Sequence, residues 1–282
     1  MEQRVALPAP ALMLLVHRYR SFRYEGFAPR VHHALPSRRV TVMVSLDGPI
    51  TVVGDPGSGS VQRFDAFVGG LRSTPVHVAD IGHGSGIAIE LEPLGVRALF
   101  AMPAAAVARQ TVDLADVWGP RAGELAERLS TAGDWCAQVR VLDRMIADAI
   151  REPGTPVPAV SAAWRRLVQS GGSVRIATLA GQVGLSRRHL SQVFTGEYGL
   201  SPKEAGRVVR FERAVNLLER DDHHELSAVA AMCGYFDQAH LDREWRTLAE
   251  MTPTEWRAEQ LRDPPNNELF AATEERHVAQ IS

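Results

Sequence analysis

The chain has 282 residues, 45% of them hydrophobic and 23% charged, with 31 Lys and Arg against 33 Asp and Glu. That length suits two domains, the composition is that of an ordinary globular protein, and the near-zero net charge singles out no partner. Cys136 and Cys233 stand alone and far apart, which excludes a disulfide framework and a CxxC metal site and fits a reducing cytoplasm.

From the N-terminus, "ALMLLV" (11–16) is too short for a signal-peptide core or a membrane span. The expectation is therefore a soluble, cytoplasmic protein. Residues 27–100 have strand character. "VTVMVSLDGPITVV" (40–53) is β-branched on both sides of an Asp-Gly-Pro turn, which predicts a hairpin. Further short strands follow in 57–93, punctuated by glycine. After Met102 the texture becomes helical, and Leu125, Leu129, Val139, Leu142, Ile146 and Ile150 fall at three- and four-residue spacing. "REPGTPVPAV" (151–160) has the composition of a linker. From Ser161 onward nearly everything reads as helix, and the tail "DPPNNELFAATEERHVAQIS" has no core-forming pattern. The fold class is α+β. A β-rich domain with trailing helices (1–152) and a linker (153–160) precede an all-α domain (161–262) and a loosely held tail (263–282).

The second half contains itself twice. Leu179, Ala180 and Gly184 recur as Val229, Ala230 and Gly234. After one residue added in the turn, His189, Leu190 and Phe194 recur as His240, Leu241 and Trp245, and "SPKEA" (201–205) recurs as "TPTEW" (252–256). Each copy has the grammar of a helix-turn-helix. A short helix ends at a glycine suited to a left-handed turn, an apolar residue (Leu185 or Tyr235) follows, and a cap (Ser186 or Asp237) opens a second helix. In the first copy Leu190, Val193 and Phe194 share one face. Arg188, Ser191 and Gln192 share another, free to enter a major groove where Arg and Gln read base edges. Arg supplies all but one of the basic side chains, Lys203 being the only lysine, and Arg suits such bidentate contacts. A helix of about 19 residues joins the copies and spans roughly 28 Å. That is close to one turn of B-DNA, about 34 Å, so two reading helices can reach successive major grooves.

With Arg210 in the joining helix, "GLSRRHLSQVFTGEYGLSP" and "GYFDQAHLDREWRTLAEMTPTEWR" resemble the paired helix-turn-helix domain of the AraC/XylS family of bacterial transcription regulators. The resemblance covers roughly 160–260. It implies a sequence-specific regulator acting on double-stranded promoter or operator DNA beside RNA polymerase. It also implies an N-terminal domain, often with a cupin-like pocket, that senses a small molecule or forms a homodimer. The DNA-binding positions are then Ser186, Arg187, Arg188, His189, Ser191 and Gln192 in the first copy. Those in the second are Asp237, Gln238, His240 and Arg243. Ala205 stands where the pattern has an aromatic, and Glu250 where it has a glycine. Asp242 and Glu244 lie on the second reading helix, where acidic side chains repel phosphate, and Glu244 aligns with apolar Val193. This predicts a weaker second reader with altered packing.

Other chemistries find less support. His17, His32, His33, His77 and His83 invite a metal, but the cupin signature of two His one residue apart with a Glu following is not supplied; scattered surface histidines are the expectation, with no metal and no cofactor. A cupin-type metalloenzyme domain fused to the DNA-binding module is the alternative. "GHGSG" (82–86) loosely resembles a nucleophile elbow, but strand-like residues follow where a helix is needed. No cysteine precedes Cys136, so a methyl-transfer site near the N-terminus is also excluded. The protein is read as a non-enzyme, and no residue is assigned to an effector.

Overall fold

The computed structural model describes residues 2–54, 60–150, 157–220 and 224–262. The N-terminal half runs β1 (Glu2–Ala6), β2 (Val16–Tyr24), β3 (Arg30–Ala34), β4 (Val40–Ser45), β5 (Ile50–Val53), β6 (Val61–Phe64), β7 (Ala66–Gly69), β8 (Val76–Asp80) and β9 (Gly84–Leu91). Then come α1 (Pro93–Phe100), β10 (Thr111–Asp113), α2 (Leu114–Trp118), α3 (Arg121–Thr131) and α4 (Trp135–Ala149). A six-stranded sheet has the order β1-β2-β9-β4-β7-β10, and a four-stranded sheet the order β3-β8-β5-β6.

The expected 40–53 hairpin does not form. β4 pairs with β7 and β9, while β5 pairs with β6 and β8. Gly48 does take the left-handed turn, but the chain there crosses from one sheet to the other. The helical stretch 124–150 is likewise divided, because the Asp134 carboxylate caps a new helix by accepting from the Ala137 amide at 2.7 Å.

Alternation along the strands sorts the two faces of the large sheet. Val42, Val44, Ile87, Ile89 and Leu91 face the helices and join their core. Phe22, Met43 and Ala88 face the small sheet and fill the space between with Val52, Phe64 and Phe67. On that same inner face, further along β2 and β9, the pattern turns ionic: Glu90 bonds Arg18 and Arg20, each at 3.0 Å. Burial alone would raise the Glu90 carboxyl, but Arg20, Arg18 and Arg39 outweigh it and hold it below the usual carboxylate range. Desolvation, followed by the charge of Arg39, pushes the nearby His17 down to about 3.

The C-terminal half comprises α5 (Pro158–Gln169), α6 (Ile176–Gln182), α7 (Arg187–Tyr198), α8 (Pro202–Arg220), α9 (Leu226–Met232), α10 (Gln238–Ala249) and α11 (Pro253–Arg262). Of the expected linker, 151–156 lies outside the described residues, and Pro158 is already the first residue of α5, a position its missing N–H suits. The tail 263–282 also lies outside them. Trp164 packs on Phe194 and Tyr198 in the first unit, and Trp245 on Phe211 and Trp256 in the second. Ala205 is buried in the same core. Among the described residues no helix is long and apolar enough to cross a membrane.

Candidate nucleic-acid interface

The internal repeat is a structural repeat: α6, α7 and α8 correspond in order to α9, α10 and α11. Both turns close in the same way. Leu185 N–H donates to Ala180 at 3.0 Å and Tyr235 N–H to Ala230 at 2.9 Å, across Gly184 (φ 72°) and Gly234 (φ 77°). Both reading helices are capped alike, Ser186 accepting from the His189 amide at 3.2 Å and Asp237 from the His240 amide at 2.7 Å. Reciprocal capping boxes then open the third helix of each unit. Ser201 and Glu204 exchange bonds of 2.9 and 3.2 Å, and Thr252 and Glu255 exchange bonds of 2.6 and 3.0 Å.

These caps fix which side chains face outward. Ser186, Arg187, Arg188, His189 and Gln192 are exposed at the start of α7, with Ser191 partly covered. Asp237, Gln238 and Arg243 are exposed on α10, with His240 partly covered. Leu190, Phe194, Leu241 and Trp245 are fully buried beneath. The predicted positions therefore gather on the first turns of two corresponding helices, where amide N–H groups and the positive helix end favour phosphate. His240 also has an internal task, since its Nδ1 accepts from the Phe236 amide at 3.3 Å. One exposed residue was not foreseen. Phe236 is 92% exposed beside the Asp237 cap, in the turn that is one residue longer than its counterpart.

The acidic residues of α10 do not behave as expected. Glu244 turns back to the joining helix, bonding Arg207 Nε at 2.9 and 2.8 Å and lying 3.9 Å from Arg210. Its charge is neutralised inside the domain, and the position aligned with Val193 packs as an ion pair. Arg210 in turn lies over the Tyr235 ring and donates to the Gly172 carbonyl at 2.9 Å. Asp242 is partly buried rather than presented outward.

The N-terminal domain holds the two units at three places. At the end of α7, Gly199 packs so closely on Ala105 and Ala108 that a Cβ there would lie 2.1 Å from the Ala108 methyl. Arg97 and Arg109 reach the same region to pair with Glu197 and Glu204. In the middle of α8, buried Glu212 accepts from Arg39 at 2.9 Å and from Ser37 at 3.2 Å, and lies 3.4 Å from Arg38. At the end of α10, Glu250 meets His77 Nε2 at 2.9 Å. None of these partners is marked in the sequence, because each pair joins residues remote in the chain. His32 and His77, expected on the surface, are both only 6% exposed. They lie on strands with one face inside the domain and the other under the C-terminal half.

Residues 179–259 match the model of a helix-turn-helix domain family. The HTH-type transcriptional regulator Rv1931c of Mycobacterium tuberculosis is 29% identical over 133 residues, covering 47% of this chain and 49% of that protein. The match thus spans about half the length of the curated relative. Among solved structures, apo ToxT from Vibrio cholerae strain SCE256 superposes with a TM-score of 0.54 at 11% identity, over 85% of this chain and 97% of that one. ToxT of the same strain with an unsaturated fatty acid bound gives 0.50 at 12% identity, over 84% and 93%. At such identities the likeness is one of fold, and it extends over both halves of the chain.

Proposed function

We propose that this chain, which carries a C-terminal paired helix-turn-helix domain of the AraC type, is a sequence-specific DNA-binding transcription regulator. The observation that carries this reading is the repeated unit with its two outward, N-capped helices. Arg187, Arg188, Ser191 and Gln192 on α7 take the base-reading role, Arg and Gln being suited to guanine and adenine edges in the major groove. On α10, Gln238 and Arg243 are the contacting side chains. Ser186 and Asp237 hold the helix starts, and His189 and His240 lie beside the phosphates.

The N-terminal domain is the regulatory half in this reading. It touches the C-terminal end of each reading helix and the middle of the helix between them, so a change in its shape biases how the two units are held relative to DNA. The fatty acid bound in the ToxT structure supports a small-molecule effector for this domain. Its inner space is filled by Phe22, Met43, Val52, Phe64 and Phe67, so an effector there must displace apolar side chains. The outer surfaces of α3 and α4 are the proposed place for homodimer contact, and RNA polymerase is the proposed partner at the promoter.

The test is a gel-shift titration with the promoter region of its own gene. Replacing Arg188 by Ala should weaken sequence-specific binding on the order of ten- to hundredfold, the worth of one bidentate base contact, with an unchanged circular dichroism spectrum. Undiminished specific binding by that variant would remove Arg188 from the reading face.

A further inference from the structure

We infer that His33, His77 and Glu250 form a binding site for one divalent transition-metal cation, which ties the second helix-turn-helix unit to the β domain. His33 and His77 lie directly opposite each other on antiparallel β3 and β8, with ring centroids 4.8 Å apart. Their neighbour Val76 packs into the core between the sheets, so alternation turns the two imidazoles to the other face. Glu250 arrives there from the end of α10. One ligand atom from each of the three residues lies within 4.8 Å of the other two, and His33 Nδ1 is buried without a hydrogen-bond partner.

The backbone at Glu250 is a separate observation. It caps α10 in the left-handed conformation, φ 61°, and among the described residues only Ala101 and Arg109 are other non-glycine residues with positive φ. The corresponding residue of the first unit is Gly199, φ 72°. A strained glutamate where the repeat uses glycine is accounted for if its carboxylate has a task, and that carboxylate sits on His77.

Two imidazoles and one carboxylate are a ligand set for zinc with a fourth position left to water. Calcium and magnesium demand oxygen ligands in greater number, which this site does not offer. Donors about 2.1 Å from a tetrahedral ion stand roughly 3.4 Å apart. The His77–Glu250 contact opens from 2.9 Å to reach that distance, and His33, whose ligand atom lies within 4.8 Å of the other two, closes to it. For Nε2 of His77 to ligate, any proton it holds against Glu250 moves to Nδ1 of the same ring, or to solvent where the ring is doubly protonated. The site lies between the domains and outside the sheet interior, and it does not depend on the DNA-binding reading.

The experiment is calorimetric titration of the metal-stripped full chain with zinc chloride in the absence of DNA. One zinc per chain is expected. Affinity should fall on the order of tenfold or more in His33→Gln, His77→Gln and Glu250→Gln, and stay unchanged in His83→Gln. Glu250→Gly serves as a second ligand-deleting variant that relaxes the backbone instead of straining it. Absence of zinc binding by the wild-type chain, or equal binding by the folded ligand variants, overturns the site.

Discussion

The two helix-turn-helix units share turn, cap and capping box, yet they are braced differently. The first combines close apolar packing, Gly199 against Ala105 and Ala108, with the ion pairs of Arg97 to Glu197 and Arg109 to Glu204 beside it. The second is held by polar groups, Glu250 on His77 outside and Glu244 on Arg207 within. A repeat preserves what the unit needs to fold and leaves its outer contacts free to diverge. Both reading helices are gripped at their C-terminal ends and presented at their N-terminal ends. The grip and the reading face can therefore be changed separately.

The strongest way to break the comparison is to remove the aromatic centre of each unit. Phe194→Ala and Trp245→Ala should each cost about 3–5 kcal/mol, as buried aromatic truncations do. Urea unfolding followed by far-UV circular dichroism measures this. A single transition shared by both variants would show the units folding as one body through α8. Two separated transitions would show them to be independent.

Acid should next attack the ionic grip on α8. His17 is neutral in the fold with a pKa of about 3, against an ordinary value of 6.5, under burial and the charges of Arg39, Arg18 and Arg38, which Glu90 only partly opposes. The unfolded chain therefore binds the proton first, and stability falls as pH drops from 6.5 toward 3. Glu90 is held below its ordinary 4.5, so its contribution is present above that value and fades beneath it. Melting temperature should decline steadily below pH 6.5 and more steeply below 4.5. A flat profile between pH 6.5 and 4.5 would mean that neither His17 nor His32, which burial likewise pushes down to about 3, remains neutral in the fold.

These contacts also mark how far the sequence could be read. The C-terminal domain was legible because its signals are local and occur twice: Gly184 and Gly234, Ser186 and Asp237, Glu204 and Glu255. The sheets were not. β2 pairs with β9, and nothing near either strand names the other. The Asp47-Gly48 turn signal was real, but local turn chemistry does not say whether the flanking strands share a sheet. Asp134 is a helix cap that the apolar spacing of 124–150 concealed. Glu244 looked misplaced because its neutralising partners, Arg207 and Arg210, lie on another helix. The exposure of Arg188 and Gln192 was readable from helical spacing alone, whereas the burial of His77 depends on a neighbouring domain.

A smaller effect separates the two grips. Gly199→Ala adds left-handed strain of about 1–2 kcal/mol and a methyl with no room beside Ala108, so it should destabilise by about 2 kcal/mol or more. Glu250→Gly removes comparable strain but also the bond to His77, and its net change should stay within about 1 kcal/mol. Thermal melts of the two variants side by side read the difference. Equal losses would mean that the second unit is braced as rigidly as the first.

The smallest expected change concerns the caps, and it distinguishes folding from reading. Ser186→Ala and Asp237→Ala should each cost about 1 kcal/mol. Asp237→Ala should cost a few tenths more, since a carboxylate also meets the positive end of α10. Asp237→Asn keeps the cap and removes only the charge. Stability should then change by about 0.5 kcal/mol at most, while DNA affinity holds or rises slightly, because a negative group no longer faces the phosphates. Loss of affinity in Asp237→Asn with an intact melt would mean that the carboxylate itself contacts the DNA, for example by accepting from a cytosine amino group, and the second unit would then be a base reader in its own right.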